Sequence, residues 1–199
     1  KKKNNFFATF DPYAFSKAHY VIVDINLDVK KETKFDGDLI NYDVDLNNFK
    51  KAIKAIGQNC NEDVLVLVET TVPPGTCKKV VKPIIEKCLS ERNLSSKKYK
   101  LGHSYERVMP GPDYTDSIQN FYRVYSGIDN KSANATELFL KTIIYTTNYP
   151  LTRLGNTNAT ELAKVLENSY RAMNIAFVTE WSRFAEESEV NLYEVVDAI

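Results

Sequence analysis

The sequence has little of what marks a membrane protein, a nucleic-acid-binding protein or a disulfide-stabilised scaffold. No apolar run approaches the ~20 residues of a transmembrane helix, and no signal peptide is visible. Basic and acidic residues balance at 26 each, so no charge excess favours nucleic acid or an anionic membrane surface. The three cysteines, Cys60, Cys77 and Cys88, are an odd number without the spacing of a metal site. We therefore expect reduced thiols in a cytoplasmic protein that binds no nucleic acid, membrane or metal.

Glycine-rich turns, repeats and low-complexity segments are also missing. The seven glycines are scattered, and none belongs to a G-x-G-x-x-G turn, whose amides hold a pyrophosphate at the start of a dinucleotide-binding sheet. A chain of 199 residues has room for one α/β domain and a helical appendage. A mean hydropathy of −0.36 is typical of a soluble globular protein.

Strand-like and helix-like segments alternate over the first three quarters of the chain. The segment 63–68 (DVLVLV) is a continuous apolar run, typical of a strand buried on both faces of a parallel sheet. The pattern predicts further strands at 6–10, 20–25, 100–103, 122–126 and 148–154, helices at 12–17, 46–56, 76–90 and 133–144, and a loop at 28–43. This alternation predicts an α/β fold with a parallel sheet.

The last quarter of the chain is typical of one long amphipathic helix, near residues 160–188, followed by a short one. Apolar residues recur at steps of three and four, and a second stripe is polar. The polar stripe consists of Glu161, Lys164, Asn168 and Arg171. A lysine and an amide one turn apart can hold an oxyanion or a sugar hydroxyl, so we expect chemistry on this face.

Two polar segments follow predicted strands, where open α/β sheets bind their ligands. The first, ETTVPPGT at 69–76, places the hydroxyls of Thr70 and Thr71 at a strand end, and the amides of the helix that follows can receive an anion. The second, HSYERVMPG at 103–111, offers backbone groups that can read sugar hydroxyls. Each segment taken alone is also compatible with an ordinary turn.

The two segments and the long helix, TELAKVLENSYRAMNIAFVTE, occur in the order found in nucleotide-sugar dehydrogenases. The chain thus resembles the middle part of an enzyme of the UDP-glucose/GDP-mannose dehydrogenase family. Within that family it is similar to the branch that acts on UDP-N-acetylhexosamines. The resemblance implies the second part of a Rossmann-like parallel-sheet domain, followed by the long helix of a central α-helical domain. Residues 1–155 would be a partial NAD-binding domain without its first βαβ units, and 156–199 the start of the central dimerisation domain. We expect the C-terminal UDP-binding domain to be absent from the chain, and the enzyme to be a homodimer through the central helix.

The resemblance also implies an activity and a set of site residues. The family oxidises the C6 alcohol of a UDP-sugar to the uronic acid by two NAD-dependent hydride transfers, and such acids feed polysaccharide biosynthesis. It assigns catalysis to Lys164, Asn168 and Glu106, cofactor binding to Thr71 and Thr70, and substrate binding to Glu106, Arg107, Val108, Met109, Lys164, Asn168 and Arg171. It also implies UDP-sugar and NAD as ligands, with no metal.

The sequence departs from the family pattern at three places. Pro110 stands where UDP-glucose oxidisers usually carry a second glutamate. Proteins acting on UDP-N-acetylated sugars are similar to this chain in having a proline there. Tyr105 replaces the usual proline before Glu106. Upstream, a V-P-T-P turn is replaced by residues 23–26 (VDIN), so that Ile25 lacks the family's hydroxyl and Asp24 brings a negative charge towards the cofactor region.

The catalytic cysteine of the family lies downstream of the central helix, beyond Ile199, and we expect no cysteine of this chain to replace it. The chain alone is therefore expected to be inactive. Two alternatives remain open. One is an enzyme of the β-hydroxyacid or 6-phosphogluconate dehydrogenase type, which shares the long helix and its lysine–asparagine pair. The other is a binding or dimerisation module without chemistry.

Overall fold

The computed structural model describes residues 6–27, 44–108 and 111–199. The chain forms two compact units, Lys1–Leu162 and Ala163–Ile199, and each is taken by itself below. The predicted loop at 28–43, together with Met109 and Pro110 of the second polar segment, lies outside the described residues.

The first unit is built on a five-stranded sheet in the order β1-β2-β3-β4-β5. The strands are β1 Tyr20–Val23, β2 Leu65–Val68, β3 Lys100–Ser104, β4 Val124–Gly127 and β5 Thr152–Arg153. The α/β fold is confirmed, and three of the four pairings are parallel. The sheet departs from the predicted parallel arrangement at one pairing, because β4 runs antiparallel to β3. Tyr125, near the start of β4, pairs with Ser104 at the end of β3. The chain therefore re-enters the sheet at the edge where it left β3, without the crossover that a parallel neighbour would require.

The hydrophobic core lies around β2, whose four residues are all buried. Helix α1, Asn47–Asn59, packs Phe49 and Ile53 against this core. The unbroken apolar run in β2 is explained by helices on both sides of a central strand. The predicted strand at 6–10 is wrong: these residues form no regular element, and Phe6, Phe7 and Phe10 are exposed.

The predicted helix at 76–90 is divided into two parts next to Pro83. Cys77–Val81 is a π-helical turn, in which the amide of Lys82 donates to the carbonyl of Cys77, and α2 follows at Lys82–Glu91. Pro83 has no N–H to donate to the preceding turn, so the regular ladder cannot run through it. The remaining helices of this unit are a 3-10 helix at Pro12–Lys17, α3 at Tyr114–Gln119 and α4 at Asn130–Leu140.

The long helix is confirmed as α5, Thr157–Glu187, of 31 residues, and α6, Leu192–Ala198, follows it. The first six residues of α5 belong to the first unit, and the rest belongs to the second. Many apolar side chains of the second unit are exposed, among them Met173, Phe177, Trp181 and Phe184. No helix in the described part of the chain has the length and apolar character required to cross a bilayer.

Candidate active site

A polar cavity of about 220 Å³ lies where β1 and β2 end and the chain leaves β3. It is lined by Asp24, Ile25, Asn26, Leu27, Glu69, Thr70, Thr71 and Glu106. Three of the predicted site residues, Thr70, Thr71 and Glu106, therefore share one cavity. They meet because the ends of neighbouring parallel strands lie at the same edge of the sheet.

The two threonines of the cavity are in different situations. Thr70 is buried, and its hydroxyl donates to the carbonyl of Ile25 and accepts from the amide of Ile25, both at 2.6 Å. This hydroxyl joins the chain after β1 to the end of β2. Thr71 is exposed, so contact with a cofactor is a prediction that the geometry favours for Thr71 more than for Thr70.

The cavity is acidic, since Asp24, Glu69 and Glu106 all line it. Glu69 forms an ion pair of 3.0 Å with Arg123, whose side chain is only 4% exposed. Burial raises the pKa of the Glu69 carboxyl, the charge of Arg123 opposes this shift, and the charges of Asp24 and Glu106 add to it. Sequence reasoning missed this pair, because the two residues are 54 positions apart and only the sheet brings them together.

The second polar segment turns back on itself directly after β3. The amide of Val108 donates to a carboxylate oxygen of Glu106 at 2.5 Å, and both residues are half-buried. The guanidinium of Arg107 lies 5.6 Å from the centre of the Phe121 ring. Glu106 thus has a fixed position at the cavity. Met109, the fourth residue assigned here to substrate, lies outside the described residues.

The helix amides after the first polar segment are already occupied by a residue of the protein itself. Glu161 in the first turn of α5 is fully buried, and its two carboxylate oxygens accept from the amides of Gly75 at 2.5 Å and Cys77 at 2.7 Å. Burial raises the pKa of this carboxyl, and the hydrogen bonds oppose the shift. The group that these two amides receive is thus a carboxylate of the protein itself, and Glu161 does not belong to an exposed polar stripe.

A buried polar chain fixes the same helical turn to the sheet. The hydroxyl of Thr160 lies 2.9 Å from Nδ1 of His103 on β3 and 2.8 Å from the hydroxyl of Ser126 on β4. All three residues are completely buried. Nε2 of His103 has no hydrogen-bond partner among the described residues, and the pKa of His103 falls from 6.5 to about 4, chiefly because of burial. The imidazole is therefore neutral at physiological pH.

None of the three cysteines has the properties of an activated thiol. Cys60, Cys77 and Cys88 are free and buried, and burial raises the pKa of each. The charge of Glu161 raises the pKa of Cys77 further, which outweighs the position of this thiol at the start of a helix. These properties disfavour the thiolate. No group of three or more potential metal ligands occurs within the described ranges.

The remaining predicted residues lie on α5 in the second unit. Lys164 is half-buried, Asn168 is exposed, and Arg171 pairs with Glu167 at 3.6 Å. Steps of four and three place these residues along one stripe of the helix. Their approach to the cavity that contains Thr71 remains a prediction.

A mostly parallel sheet with a polar cavity at its strand ends, followed by a long helix, defines an α/β protein of the Rossmann-like type. Residues 2–145 match the UDP-glucose/GDP-mannose dehydrogenase family, NAD binding domain, and residues 158–199 match the central domain of that family. The chain belongs to this family. Its recognition from three ordered motifs is confirmed, and NAD is the cofactor for which the matched domain is described.

Several relatives have the same description. The chain is 31% identical over 83% of its length to a UDP-N-acetyl-D-mannosamine dehydrogenase from Pyrococcus horikoshii, and 31% identical over 77% to one from Methanocaldococcus jannaschii. It covers 37% and 33% of the lengths of these two relatives. A solved UDP-D-ManNAc dehydrogenase structure from Pyrococcus horikoshii superposes with a TM-score of 0.76, at 24% identity, over 96% of this chain and 41% of that one. This likeness shows the fold, and the chain spans about a third of the curated relatives.

Proposed function

We propose that the full-length protein is an NAD-dependent dehydrogenase that oxidises the C6 alcohol of a UDP-N-acetylhexosamine to the uronic acid. The observation that supports this most strongly is the cavity at the strand ends, where Thr71 and Glu106 lie together in a chain of this family. The similarity to UDP-N-acetyl-D-mannosamine dehydrogenases supports the substrate class. In this proposal, residues 1–155 form part of the cofactor domain and residues 156–199 begin the central domain.

The cavity fits part of the cofactor and not all of it. The exposed Thr71 offers a hydroxyl to a ribose or a carboxamide. The charged side chains that line the described cavity are carboxylates, and Glu161 occupies the nearby helix amides. We therefore assign the pyrophosphate to a part of the full-length protein other than this cavity. NAD, when bound, would supply a hydride acceptor for C6, one hydride per molecule, so the oxidation to the acid would consume two molecules of NAD.

The roles that we assign to the protein side chains follow from their chemistry. The ammonium of Lys164 and the amide of Asn168 are cation and donor, suited to an oxygen on which negative charge develops. Glu106 is half-buried and fixed by the Val108 amide, which suits it to orienting water or a substrate hydroxyl. Arg107, Val108, Met109 and Arg171 are assigned to contacts with the UDP-sugar.

The activity is tested by steady-state NADH formation with the full-length protein. We expect turnover with UDP-N-acetylmannosamine or UDP-N-acetylglucosamine, and at least tenfold lower kcat/KM, roughly 1.4 kcal/mol, with UDP-glucose. 6-Phosphogluconate serves as the competing substrate for the related dehydrogenase class. Turnover of 6-phosphogluconate alone, or no NAD binding at all, would reject the proposal.

We further propose that the protein is a homodimer through α5 and acts in the cytoplasm. Apolar side chains on the second unit are exposed to a degree unusual for a monomer surface. Those at 60% or more include Leu166, Met173, Ile175, Phe177 and Phe184. The three free thiols are compatible with a reducing compartment.

Replacing Phe177 by glutamate is expected to convert the dimer into monomers, because a charge in the centre of an apolar interface loses its hydration without gaining a partner. Light scattering coupled to size-exclusion chromatography measures the mass. Glu180→Gln is the matched control, since Glu180 lies on the same helix and is 72% exposed. A wild-type protein that is monomeric at all concentrations would contradict the proposal.

A further inference from the structure

We propose that Glu161 is a positioning residue for cofactor binding, acting through the loop that carries Thr71. The inference rests on the proposed function, because it assigns Thr71 to NAD. Glu161 itself is fully buried and has no access to a ligand at the cavity surface. Its effect on binding must therefore pass through the groups to which it is bonded, the amides of Gly75 and Cys77.

Capping the helix with Glu161 costs more free energy than capping it with a residue of the same segment would. A local serine, threonine or aspartate at the N-cap would satisfy a free amide from within the same segment. Thr76 stands at that position, but its hydroxyl donates to the carbonyl of Pro73 at 2.6 Å and caps nothing. The cap comes from a carboxylate 84 residues away, whose burial costs free energy. The arrangement therefore makes the loop geometry dependent on the position of α5.

The loop is held at both ends and leaves Thr71 between the two attachments. At its start, Thr70 is bonded to the backbone of Ile25. At its end, Gly75 has a φ of +96°, a conformation that favours glycine, and presents its amide to Glu161. Thr71 is exposed in the cavity between these points. A fixed loop presents its hydroxyl in one orientation, which lowers the entropic cost of binding a ligand there.

The neighbouring residue strengthens this attachment of α5. Thr160 is hydrogen-bonded to His103 on β3 and to Ser126 on β4. Two successive side chains of one helical turn thus reach the sheet and the loop. A change at Glu161 that leaves Thr160 intact should release the loop while the helical turn stays attached to the sheet.

The test uses NAD binding by calorimetry on the full-length protein. Glu161→Gln keeps the size of the side chain, but it replaces a carboxylate oxygen with an NH₂ group that faces an N–H donor. We expect the Kd for NAD to rise on the order of tenfold, while the KM for the UDP-sugar changes by less than about twofold. Glu91→Gln on α2 is the matched control, since that carboxylate is 55% exposed and pairs with the exposed Lys87 at 3.9 Å.

A double-mutant cycle separates positioning from general destabilisation. Thr71→Val removes the hydroxyl with little change of shape, and it should also raise the Kd for NAD. If Glu161 acts through Thr71, the double variant binds NAD about as weakly as Thr71→Val alone. Additive effects, or a Glu161→Gln variant whose melting temperature falls while its Kd stays at the wild-type value, would overturn the inference. If Glu161→Gln does not fold, Glu161→Asp takes its place, because the shorter side chain cannot reach both amides.

The outcomes also separate this inference from the proposed function. If the wild type turns over UDP-sugars but the Glu161 variants keep the wild-type Kd for NAD, the proposed function stands and the positioning role is rejected. NAD binding without turnover of any UDP-sugar rejects the function, and the cycle still decides the role of Glu161. A wild-type protein that binds no NAD rejects both.

Discussion

Replacing Lys164 by alanine in the full-length enzyme is expected to lower kcat on the order of 10²–10³-fold, with a much smaller change in KM. In the proposed function, the ammonium stabilises the negative charge that develops on the sugar oxygen during oxidation, a charge that the bound substrate does not yet carry. An interaction made mainly in the transition state appears in kcat. The fold should persist, because Lys164 is half-buried on α5 and is not among the buried core residues of the first unit.

Steady-state kinetics with a UDP-N-acetylhexosamine measure this effect, and circular dichroism verifies that the variant is folded. Lys87→Ala provides the matched control, because Lys87 is 76% exposed on α2. A folded Lys164→Ala enzyme with the kcat of the wild type would remove Lys164 from the active site. The assignment of Asn168, which lies one turn further along the helix, would then lose its main support.

Lowering the pH from 6.5 to about 4 is expected to destabilise the protein through His103 by about 3 kcal/mol. The pKa of His103 is depressed in the folded state, so the unfolded chain binds a proton across this interval and the folded protein does not. The free energy of unfolding therefore falls as the pH falls, and this loss is complete only below pH 4. Burial is the cause, and a weaker contact with the backbone of Thr70 opposes it.

Urea unfolding at a series of pH values between 4 and 7 measures this dependence. His103→Asn offers an amide in place of Nδ1 but does not titrate, so its stability should depend less steeply on pH, by about one proton. The other histidine, His19, is exposed, and His19→Asn provides the control variant. Carboxylates titrate equally in all three proteins, so the difference isolates His103. Parallel curves for His103→Asn and the wild type would show that the imidazole accepts a proton freely in the fold.

The sequence was sufficient to predict the strands and helices whose apolar pattern lies within the element itself. The apolar run of β2 and the period of α5 predicted a buried strand and a helix of about the length observed. The direction of β4 was not predictable in this way, because a strand carries the same side-chain alternation whichever way it runs. What decides its direction is the path of the chain after β3, which the local pattern does not contain.

The candidate site was predictable to a similar extent. Thr71 and Glu106 each follow a strand of a parallel pair, so their meeting at one cavity follows from topology alone. Glu161 was misplaced, because a charged residue on a polar stripe is ordinarily exposed, and here the loop after β2 and the helical turn that follows it supply two amides that make its burial possible. The pair of Glu69 and Arg123 was missed for the same reason, since it exists only in three dimensions.

The reversal of β4 and β5 determines where the first turn of α5 begins. In a sheet whose strands all ran in the same direction, β5 would end at the edge that carries the cavity, and α5 would begin there. Because β4 and β5 run the other way, the chain emerges at the opposite rim, where Thr157 shares a hollow with Ile128 just beyond the end of β4. Within the first turn of the helix, the carboxylate of Glu161 then accepts from the amide of Gly75. One inverted strand pair thus redirects the chain back towards the edge that it had left.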